Sequence, residues 1–382
     1  MKISNVKTFI VPSKISATDW SAGETWVLVK LETDEGIEGW GETHRFHTRE
    51  HAIAAQVHRL AQSLVGKSPY CIKRFMKNIS ETNINPLEET DISTAAAGIE
   101  IALWDIIGKT LGAPVYNLLG GGCHDRIKLY ANCWSDKTRS AEQLACFASK
   151  QVERGFKAVK IYPFLYGTTA KEGIERLGAV RDAVGPGIDV FVDMWSQLSP
   201  KDFSVIVEAL RAHEVSWFED PADAKDTDAL AQIRAQSRLQ IVSGETLVTK
   251  QDFRRLLENQ AADILNPEIT LLGILGTKEI AAIAEAYSTP VAIHNDNTMT
   301  IGLAAAMQAA AVCPNATVVE FFPRLEKASN TFSCFPVELD EDGCIPFSPE
   351  PGLGVTVDEG ALAAMEYDPA SQPARMKERS IK

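Results

Sequence analysis

Eight short runs rich in β-branched and aromatic residues recur after about residue 126, and seven helical stretches of roughly 10–15 residues separate them. The runs are IKLYANC (127–133), AVKIYP (158–163), DVFVDM (189–194), VSWFEDP (215–221), QIVSGE (240–245), DILNPE (263–268), PVAIHN (290–295) and TVVEFF (317–322). Strands that alternate with helices predict a parallel sheet, and eight evenly spaced units favour a closed barrel over a doubly wound sheet. No G-x-G-x-x-G motif follows any run, so dinucleotide binding has no support.

The flanking segments predict a second, α+β domain. ISNVKTFIV and ETWVLVKLETDEGIEGWGE indicate strands with a hairpin turn at TDEG. STAAAGIEIALWDIIGKTLG begins with Ser and Thr, spaces its apolar residues by three and four and ends at Gly, which predicts a helix. We therefore expect a capping domain over residues 1–125, a barrel over 126–329, and a C-terminal segment, 330–382, that packs back on the capping domain.

Composition narrows the class of protein. The 382 residues carry a net charge of −13, and no basic stripe is visible, which argues against nucleic-acid binding. The seven cysteines form no C-x-x-C pair and are typical of reduced thiols. The start of the chain lacks a signal-peptide core, and the run IGLAAAMQAAAVC (301–313) is shorter than the ~20 residues that span a bilayer. We expect a soluble, cytoplasmic protein with no nucleic-acid or membrane partner.

Polar groups end the second to eighth predicted strands. They are Lys160 with Tyr162, then Asp193, Glu219, Glu245, Glu268, His294 and Glu320, and from Asp193 onward the gaps are 26, 26, 23, 26 and 26 residues. A single acid after a strand is most often a helix N-cap. Six in succession would meet at the carboxyl mouth of the barrel, where barrel enzymes hold their chemistry. Converging carboxylates raise one another's pKa, and a divalent cation removes that conflict; all-oxygen ligands suit Mg²⁺ better than zinc.

Two sets of motifs now resemble a known family. AAAGIEIALWDIIGKTLGAPVYNLLGG (95–121) and the series VDMW, WFEDP and SGET are similar to signatures of the mandelate racemase/muconate lactonizing enzyme group of the enolase superfamily, and the resemblance covers essentially the whole chain. It implies a (β/α)₇β TIM-like barrel with an N-terminal α+β capping domain, acting on a small-molecule carboxylate. It also implies that Asp193, Glu219 and Glu245 bind Mg²⁺, with Mn²⁺ as a possible substitute.

The resemblance further implies the chemistry of the remaining residues. The group removes a proton α to a carboxylate through an enediolate, with His294 as the catalytic histidine and Glu268 as its hydrogen-bond partner. Glu320, if protonated, would donate a hydrogen bond to the substrate carboxylate. Lys160 would add a positive charge beside it.

Three positions depart from the pattern of the group. Tyr162 stands where relatives often have a lysine base, Glu268 replaces an aspartate, and Trp195 replaces an Asn or His. Strand alternation predicts that Trp195 shares a face with Asp193 and forms a wall of the pocket. His294 is then the one convincing base, which weighs against racemisation because 1,1-proton transfer needs a base on each face.

Dehydration of a sugar acid to a 2-keto-3-deoxy product is our first hypothesis. In one version His294 takes the α-proton and returns it to the departing β-hydroxyl; in the other, Tyr162 or Lys160 is the base and His294 the acid. A cycloisomerase or a racemase/epimerase of the same group is the alternative. A non-catalytic carboxylate-binding protein is a more distant one.

Loops of the capping domain are expected to close over the mouth and bind substrate. The candidates there are Trp20, His44, Arg45 and His47, while Arg324 and Trp195 are candidates on the barrel. Ordinary surface positions are the competing interpretation. We also expect a homo-oligomer, from dimer to octamer.

Overall fold

The coordinates are a computed structural model that describes residues 1–12, 25–46, 49–81, 89–134, 140–165 and 167–365. The strands are β1 (Ile3–Pro12), β2 (Thr25–Thr33), β3 (Glu38–Glu42), β4 (Arg126–Asn132), β5 (Ala158–Ile161), β6 (Asp189–Asp193), β7 (Trp217–Glu219), β8 (Ile241–Ser243), β9 (Ile264–Leu265), β10 (Val291–Ile293), β11 (Ala316–Phe321), β12 (Ser333–Cys334), β13 (Cys344–Pro346) and β14 (Thr356–Val357).

The helices are α1 (Glu50–Ala61), α2 (Ile72–Glu81), α3 (Glu89–Leu111), α4 (Val115–Leu118), α5 (Ala141–Glu153), α6 (Ala170–Val184), α7 (Phe203–Ala212), α8 (Thr227–Ser237), α9 (Lys250–Glu258), α10 (Ile269–Ala286), α11 (Thr300–Ala311), α12 (Glu326–Ser329) and α13 (Glu359–Ala363), with 3₁₀ turns at Pro69–Cys71 and Pro200–Asp202. Within these described ranges no helix is both long and apolar enough to cross a membrane.

Strands β4 to β11 form the predicted barrel. They pair in parallel in chain order, and β11 closes on β4 through Val318↔Lys128 to Phe321↔Ala131. Helices α5 to α11 fill the seven connections, so the (β/α)₇β expectation is confirmed. All eight predicted runs contain a strand, although several are shorter than their apolar stretch because the chain turns into the mouth loops early.

The N-terminal part is an antiparallel meander, β1-β2-β3, covered by helices. Its turn after Thr33 uses Gly36 at φ 80°, as the TDEG sequence predicts. Helix α3 lies so close to β3 that a Cβ on Gly41 would be 1.9 Å from the carbonyl oxygen of Gly98, which explains the glycines at this contact. The helix predicted in 93–112 is therefore confirmed, and it packs directly against β3 of the meander.

Buried carboxylates of this N-terminal part bind backbone groups of barrel helices. Glu42 accepts from the N–H groups of Met299 (2.7 Å) and Gly302 (2.8 Å) at the start of α11. Glu100 accepts from Ile274 and Leu275, both at 2.9 Å, just after the kink in α10. These contacts fasten the cap to the last two barrel helices.

The C-terminal segment contacts both parts. Strand β13 pairs with β4 of the barrel, while Glu359 of α13 forms an ion pair with the buried Lys30 of β2. Asp105 of α3 accepts from the Leu353 N–H at 3.0 Å. These contacts are of the kind expected for a segment that completes the capping domain; the domain boundaries themselves stay predictions, and residues 366–382 lie outside the described residues.

Glu42 generates a prediction about stability. Burial raises its pKa from 4.5 to about 7 against the pull of its two backbone hydrogen bonds. Because the folded pKa lies above the unfolded value, its contribution is fully present below pH 4.5 and is lost as the pH rises through 7. We expect the free energy of unfolding of Glu42→Gln, relative to that of the wild type, to rise by up to about 3 kcal/mol between pH 4.5 and pH 8. Thermal melts across this pH range measure the difference.

The matched control is Glu153→Gln, a change at an exposed residue of α5. It should follow the wild type across the same pH range. A Glu42→Gln protein whose melting temperature stays parallel to that of the wild type contradicts the prediction.

Candidate active site

The interior of the barrel is built in two layers, and strand alternation connects them. Each of the eight strands contributes one residue to an apolar cluster: Tyr130, Ala158, Phe191, Trp217, Val242, Ile264, Ala292 and Val318. A second layer lies closer to the mouth and consists of the residues two positions later in the chain. They are Asn132, Lys160, Asp193, Glu219, Gly244, Asn266, His294 and Glu320. We call this second layer the polar ring. It is the candidate active site.

Lys160 lies at the centre of the polar ring and is fully buried. Its Nζ is 2.8 Å from Glu219 Oε1, 2.9 Å from Glu320 Oε1 and 3.5 Å from Asp193 Oδ2. Burial opposes its charge, but Glu219 and Glu320 outweigh that effect and raise the pKa of Lys160 well above its usual value. The positive form of the lysine is therefore favoured by these contacts.

His294 is held by Glu268, as the sequence predicts. Its Nδ1 lies 2.7 Å from Glu268 Oε2, which leaves Nε2 facing Glu245 at 2.9 Å and Glu320 at 3.2 Å. Burial lowers the pKa of His294, but Glu320 and Glu245 outweigh this and raise it well above its ordinary value. The imidazole is consequently fixed in orientation and directed into the polar ring.

Glu268 also begins helix α10. Its Oε1 accepts from the Thr270 N–H at 2.8 Å and its Oε2 from the Asp296 N–H at 2.9 Å. Burial raises the pKa of Glu268, but the hydrogen bonds to His294 and His44 lower it to a net value below its usual range. Both interpretations of this residue hold together: it is a helix N-cap and the partner of His294.

The acids of the site fit a divalent cation. Glu219 Oε2 is fully buried and has no hydrogen-bond partner, although the other oxygen of that carboxylate has two. Burial raises the pKa of Asp193 to about 8. Burial and the nearby Asp193 raise the pKa of Glu219 well above its usual value. Glu245 behaves differently: despite its burial, His294 lowers its pKa to about 2. An unpartnered carboxylate oxygen among crowded acids is the arrangement that a cation relieves.

The geometric cluster differs from the predicted ligand set in one member. Ligand atoms of Glu219, Glu245 and His294 all lie within 4.8 Å of one another among the described residues. Asp193 is on the neighbouring strand, with Oδ1 accepting from the Trp195 N–H at 2.8 Å and Oδ2 facing Lys160. Glu219 and Glu245 are thus brought together as expected, and Asp193 stays the predicted third ligand.

Glu320 and Tyr162 both lie beside Lys160, and their pKa values shift in opposite directions. Lys160 and His294 outweigh burial and lower the pKa of Glu320, so it accepts hydrogen bonds from Asn132 (2.7 Å) and Lys160 instead of donating one. Burial raises the pKa of Tyr162 well above 10 even though Lys160 lowers it. This shift favours the protonated phenol, which disfavours Tyr162 as the base.

The substrate candidates divide into three groups. His44 and Arg45 reach the mouth: His44 Nδ1 is 3.1 Å from the Thr270 hydroxyl, and Asp296 Oδ2 is 3.7 Å from His44 Nε2 and 4.0 Å from Arg45. Arg324 instead donates to the Trp134 carbonyl and, at 2.8 Å, to Asn297 Oδ1, contacts that fasten the mouth loops. Trp20 and His47 lie outside the described residues.

The alternation argument was wrong for Trp195. Strand β6 ends at Asp193, and Trp195 has the left-handed φ of 41°, so its side chain does not continue the face of Asp193. The indole is 49% exposed at the mouth. Trp195 stays a candidate for substrate contact because it is exposed, and not because strand alternation places it there.

Sequence reasoning missed three buried polar residues. Asn132 donates to Tyr162 at 2.8 Å and to Glu320, and Asn266 donates to Glu219 Oε1 at 3.1 Å. Asp220, buried beside Glu219, has φ 36° and a pKa raised well above its usual value by burial and by Glu245. Counting two residues from the apolar layer would have found both asparagines.

A closed barrel whose mouth holds buried acids, a lysine and a carboxylate-bound histidine defines a barrel enzyme with acid–base chemistry at its strand ends. The family models "Mandelate racemase / muconate lactonizing enzyme, N-terminal domain" and "Enolase C-terminal domain-like" match residues 1–120 and 143–361. The chain belongs to the mandelate racemase/muconate lactonizing enzyme group of the enolase superfamily. The sequence-based identification of the family is thereby confirmed.

Individual relatives agree over nearly the full length. The chain is 30% identical to D-galactonate dehydratase from Variovorax paradoxus (strain S110) over 382 residues, covering 97% of this chain and 95% of that protein. It is 27% identical to D-gluconate dehydratase from Thermoproteus tenax, covering 91% and 71%. Its fold is similar to the 3,6-anhydro-D-galactonate cycloisomerase from Zobellia galactanivorans, with a TM-score of 0.86 at 24% identity, covering 96% and 100%.

The third cation ligand can be tested directly. After removal of metal with a chelator, a divalent cation should raise the melting temperature of the wild type, because binding to the folded state stabilises it. We expect Asp193→Asn to lose most of this increase, since it removes a charged ligand oxygen, and His294→Asn to retain it. The reverse result, with His294→Asn losing the increase, would assign the third ligand to His294.

Proposed function

We propose that this chain is a Mg²⁺-dependent dehydratase that converts a sugar acid into its 2-keto-3-deoxy product. The observation that carries the proposal is the placement of His294: Glu268 holds Nδ1, and Nε2 faces the same buried acids and lysine that would receive a carboxylate and a cation. The similarity to D-galactonate dehydratase and to D-gluconate dehydratase supports the same reaction type.

Asp193, Glu219 and Glu245 are the proposed ligands of the cation, and Mn²⁺ can take the same oxygen ligands. When bound, the cation supplies positive charge that stabilises the negative charge developing on the substrate carboxylate as the α-proton leaves. Lys160 adds a second positive charge, which Glu219 and Glu320 favour, so a chain with a net charge of −13 can still bind an anion.

His294 moves the proton. Nε2 takes the proton from the α-carbon and then delivers it to the β-hydroxyl, which leaves as water from the same side; the resulting enol tautomerises to the 2-keto acid. Glu245 has two proposed partners, His294 in the absence of the cation and the cation itself when it is bound. As a partner of Nε2 at 2.9 Å it favours the imidazolium, and as a cation ligand it leaves Nε2 able to accept a proton.

The contacts of Lys160 and Tyr162 disfavour racemisation. The surroundings favour the protonated form of each group: Glu219 and Glu320 raise the pKa of Lys160, and burial raises the pKa of Tyr162. Neither provides the second base that 1,1-proton transfer requires. Dehydration needs one acid–base residue, and His294 supplies it.

His44, Arg45 and Asp296 form the proposed subsite for the hydroxylated end of the substrate. They offer both donors and acceptors beside Glu268, which suits a polyhydroxylated chain. Trp195, half exposed just after β6, is the proposed wall of the pocket. A cytoplasmic location and a homo-oligomeric state, both expected from the sequence, stay predictions.

A substrate screen tests the reaction type. The wild type is incubated with a panel of C5 and C6 sugar acids and Mg²⁺, and 2-keto products are scored together with the product mass. We expect loss of one water from at least one sugar acid, and no product after removal of metal. A product with the mass of its substrate would instead favour the cycloisomerase or epimerase alternative.

The role of His294 is tested by α-proton exchange in deuterium oxide. We expect His294→Asn to lose exchange and turnover by about a hundred- to ten-thousandfold, the usual contribution of a positioned acid–base residue. His213→Asn, which removes a histidine at the end of α7, is the control and should exchange normally. Exchange at the wild-type rate in His294→Asn would transfer the base role to Lys160 or Tyr162.

A further inference from the structure

Asn266 is a buried member of the polar ring that no step of the proposed reaction uses. It follows β9 directly and is 2% exposed. Its backbone N–H continues the strand pairing by donating to the Ser243 carbonyl at 3.3 Å, so the position of its side chain is set by the barrel itself.

One half of the amide orients Glu219. Asn266 Nδ2 donates to Glu219 Oε1 at 3.1 Å, and Lys160 Nζ contacts the same oxygen at 2.8 Å. Two donors therefore occupy Oε1 while Oε2 has none. A carboxylate held through one oxygen presents the other in a defined direction, which is the requirement for a metal ligand.

The other half of the amide is unpartnered. Asn266 Oδ1 is buried and has no hydrogen-bond partner, and it lies against Gly244, where an added Cβ would be 3.4 Å away. Gly244 is the one position of the polar ring without a side chain, and Glu245 follows it. A buried acceptor left without a donor costs about 1–3 kcal/mol, so a donor is expected beside it.

Both unpartnered atoms are acceptors, and they belong to residues joined by one hydrogen bond. Water molecules bound to a divalent cation present O–H donors to such acceptors, and Mg²⁺ keeps several of its waters when it binds to proteins. A basic side chain could also donate to Glu219 Oε2 and Asn266 Oδ1. Lys160 does not do so, because its Nζ contacts Glu219 Oε1 and Glu320.

We propose that Asn266 is a positioning residue for the cation: its amide holds Glu219 Oε1 so that Oε2 is available as a ligand, and its Oδ1 accepts a hydrogen bond from a water bound to the cation. This inference rests on the cation binding of the proposed function, but not on the identity of the substrate.

The test is a titration of metal-free, full-length protein with Mn²⁺, in which the paramagnetic resonance signal of free Mn²⁺ gives the dissociation constant without substrate. We expect Asn266→Leu, close in size to asparagine, to weaken Mn²⁺ binding about ten- to a hundredfold, as loss of an outer-shell hydrogen bond does in metal sites. Asn266→Ala, which cannot overpack the site, should give the same direction if the leucine variant fails to fold.

Asn315→Leu is the matched control. Asn315 also has an unpartnered Oδ1 and uses its amide to donate to two backbone carbonyls, Ala281 and Thr289, but it precedes β11 at the end of the barrel opposite the mouth. It should lower the melting temperature and leave the Mn²⁺ dissociation constant unchanged.

Weakened binding in the Asn266 variants alone supports the proposal. Unchanged binding in them, or equal weakening in Asn315→Leu, overturns it. A wild type that binds no Mn²⁺ overturns the cation of the proposed function and this inference with it. A wild type that binds Mn²⁺ but dehydrates no sugar acid refutes the substrate proposal, while the Asn266 comparison still decides this one.

Discussion

The two-residue period of the barrel strands is the constraint on which the site depends. In each strand the residue that fills the barrel floor is followed, two positions later, by a residue of the polar ring, because successive side chains point to opposite faces. The floor is closed by stacked and edge-to-face rings of Tyr130, Phe191 and Trp217. Their exclusion of water from below makes every charge above them interact strongly.

The polar ring and the loops above it contain more buried acids than cations. The buried acids are Asp193, Glu219, Asp220, Glu268 and Glu320, with the half-buried Glu245 beside them, and the buried cations facing them are Lys160 and, when protonated, His294. The imbalance is visible as a division: Glu245, Glu268 and Glu320 have lowered pKa values, whereas Asp193, Glu219 and Asp220 have raised ones, although Lys160 also contacts Glu219 and Asp193. The second group is where added positive charge has most effect.

Sequence reasoning located residues that obey the strand period and failed where the backbone leaves it. Lys160, Asp193, Glu219, His294 and Glu320 all occupy ring positions, so their order along the chain was sufficient. Glu245 and Glu268 come after strands that end at Ser243 and Leu265. The loops that follow these strands bring them to the mouth, so their regular spacing along the chain is not a consequence of strand alternation. Trp195 failed because left-handed backbone interrupts the alternation.

Protonation and long-range contacts were beyond the sequence for a different reason. The charge of Glu320 and the proton of Tyr162 are set by neighbours from other strands, so a residue type alone does not determine them. Glu42 and Glu100 bind backbone groups 257 and 174 residues away in the chain, and nothing local marks them as helix caps. Buried acids outside the site are understandable only once their partners are known.

The cap and the chemistry are joined through one hydrogen-bonded path. Thr94 of α3 accepts from the His44 N–H at 2.5 Å and donates to the Thr270 carbonyl at 3.0 Å, while the N–H of Thr270 donates to Glu268, the partner of His294. The orientation of the imidazole thus depends on residues of both parts of the molecule. Because Glu42 binds the start of α11 and Glu100 binds α10 just after its kink, displacement of the cap would disturb both helices that flank His294. A site assembled in this way is complete only when the cap is in place, so the groups that bind the substrate's far end and the group that moves its proton are positioned together.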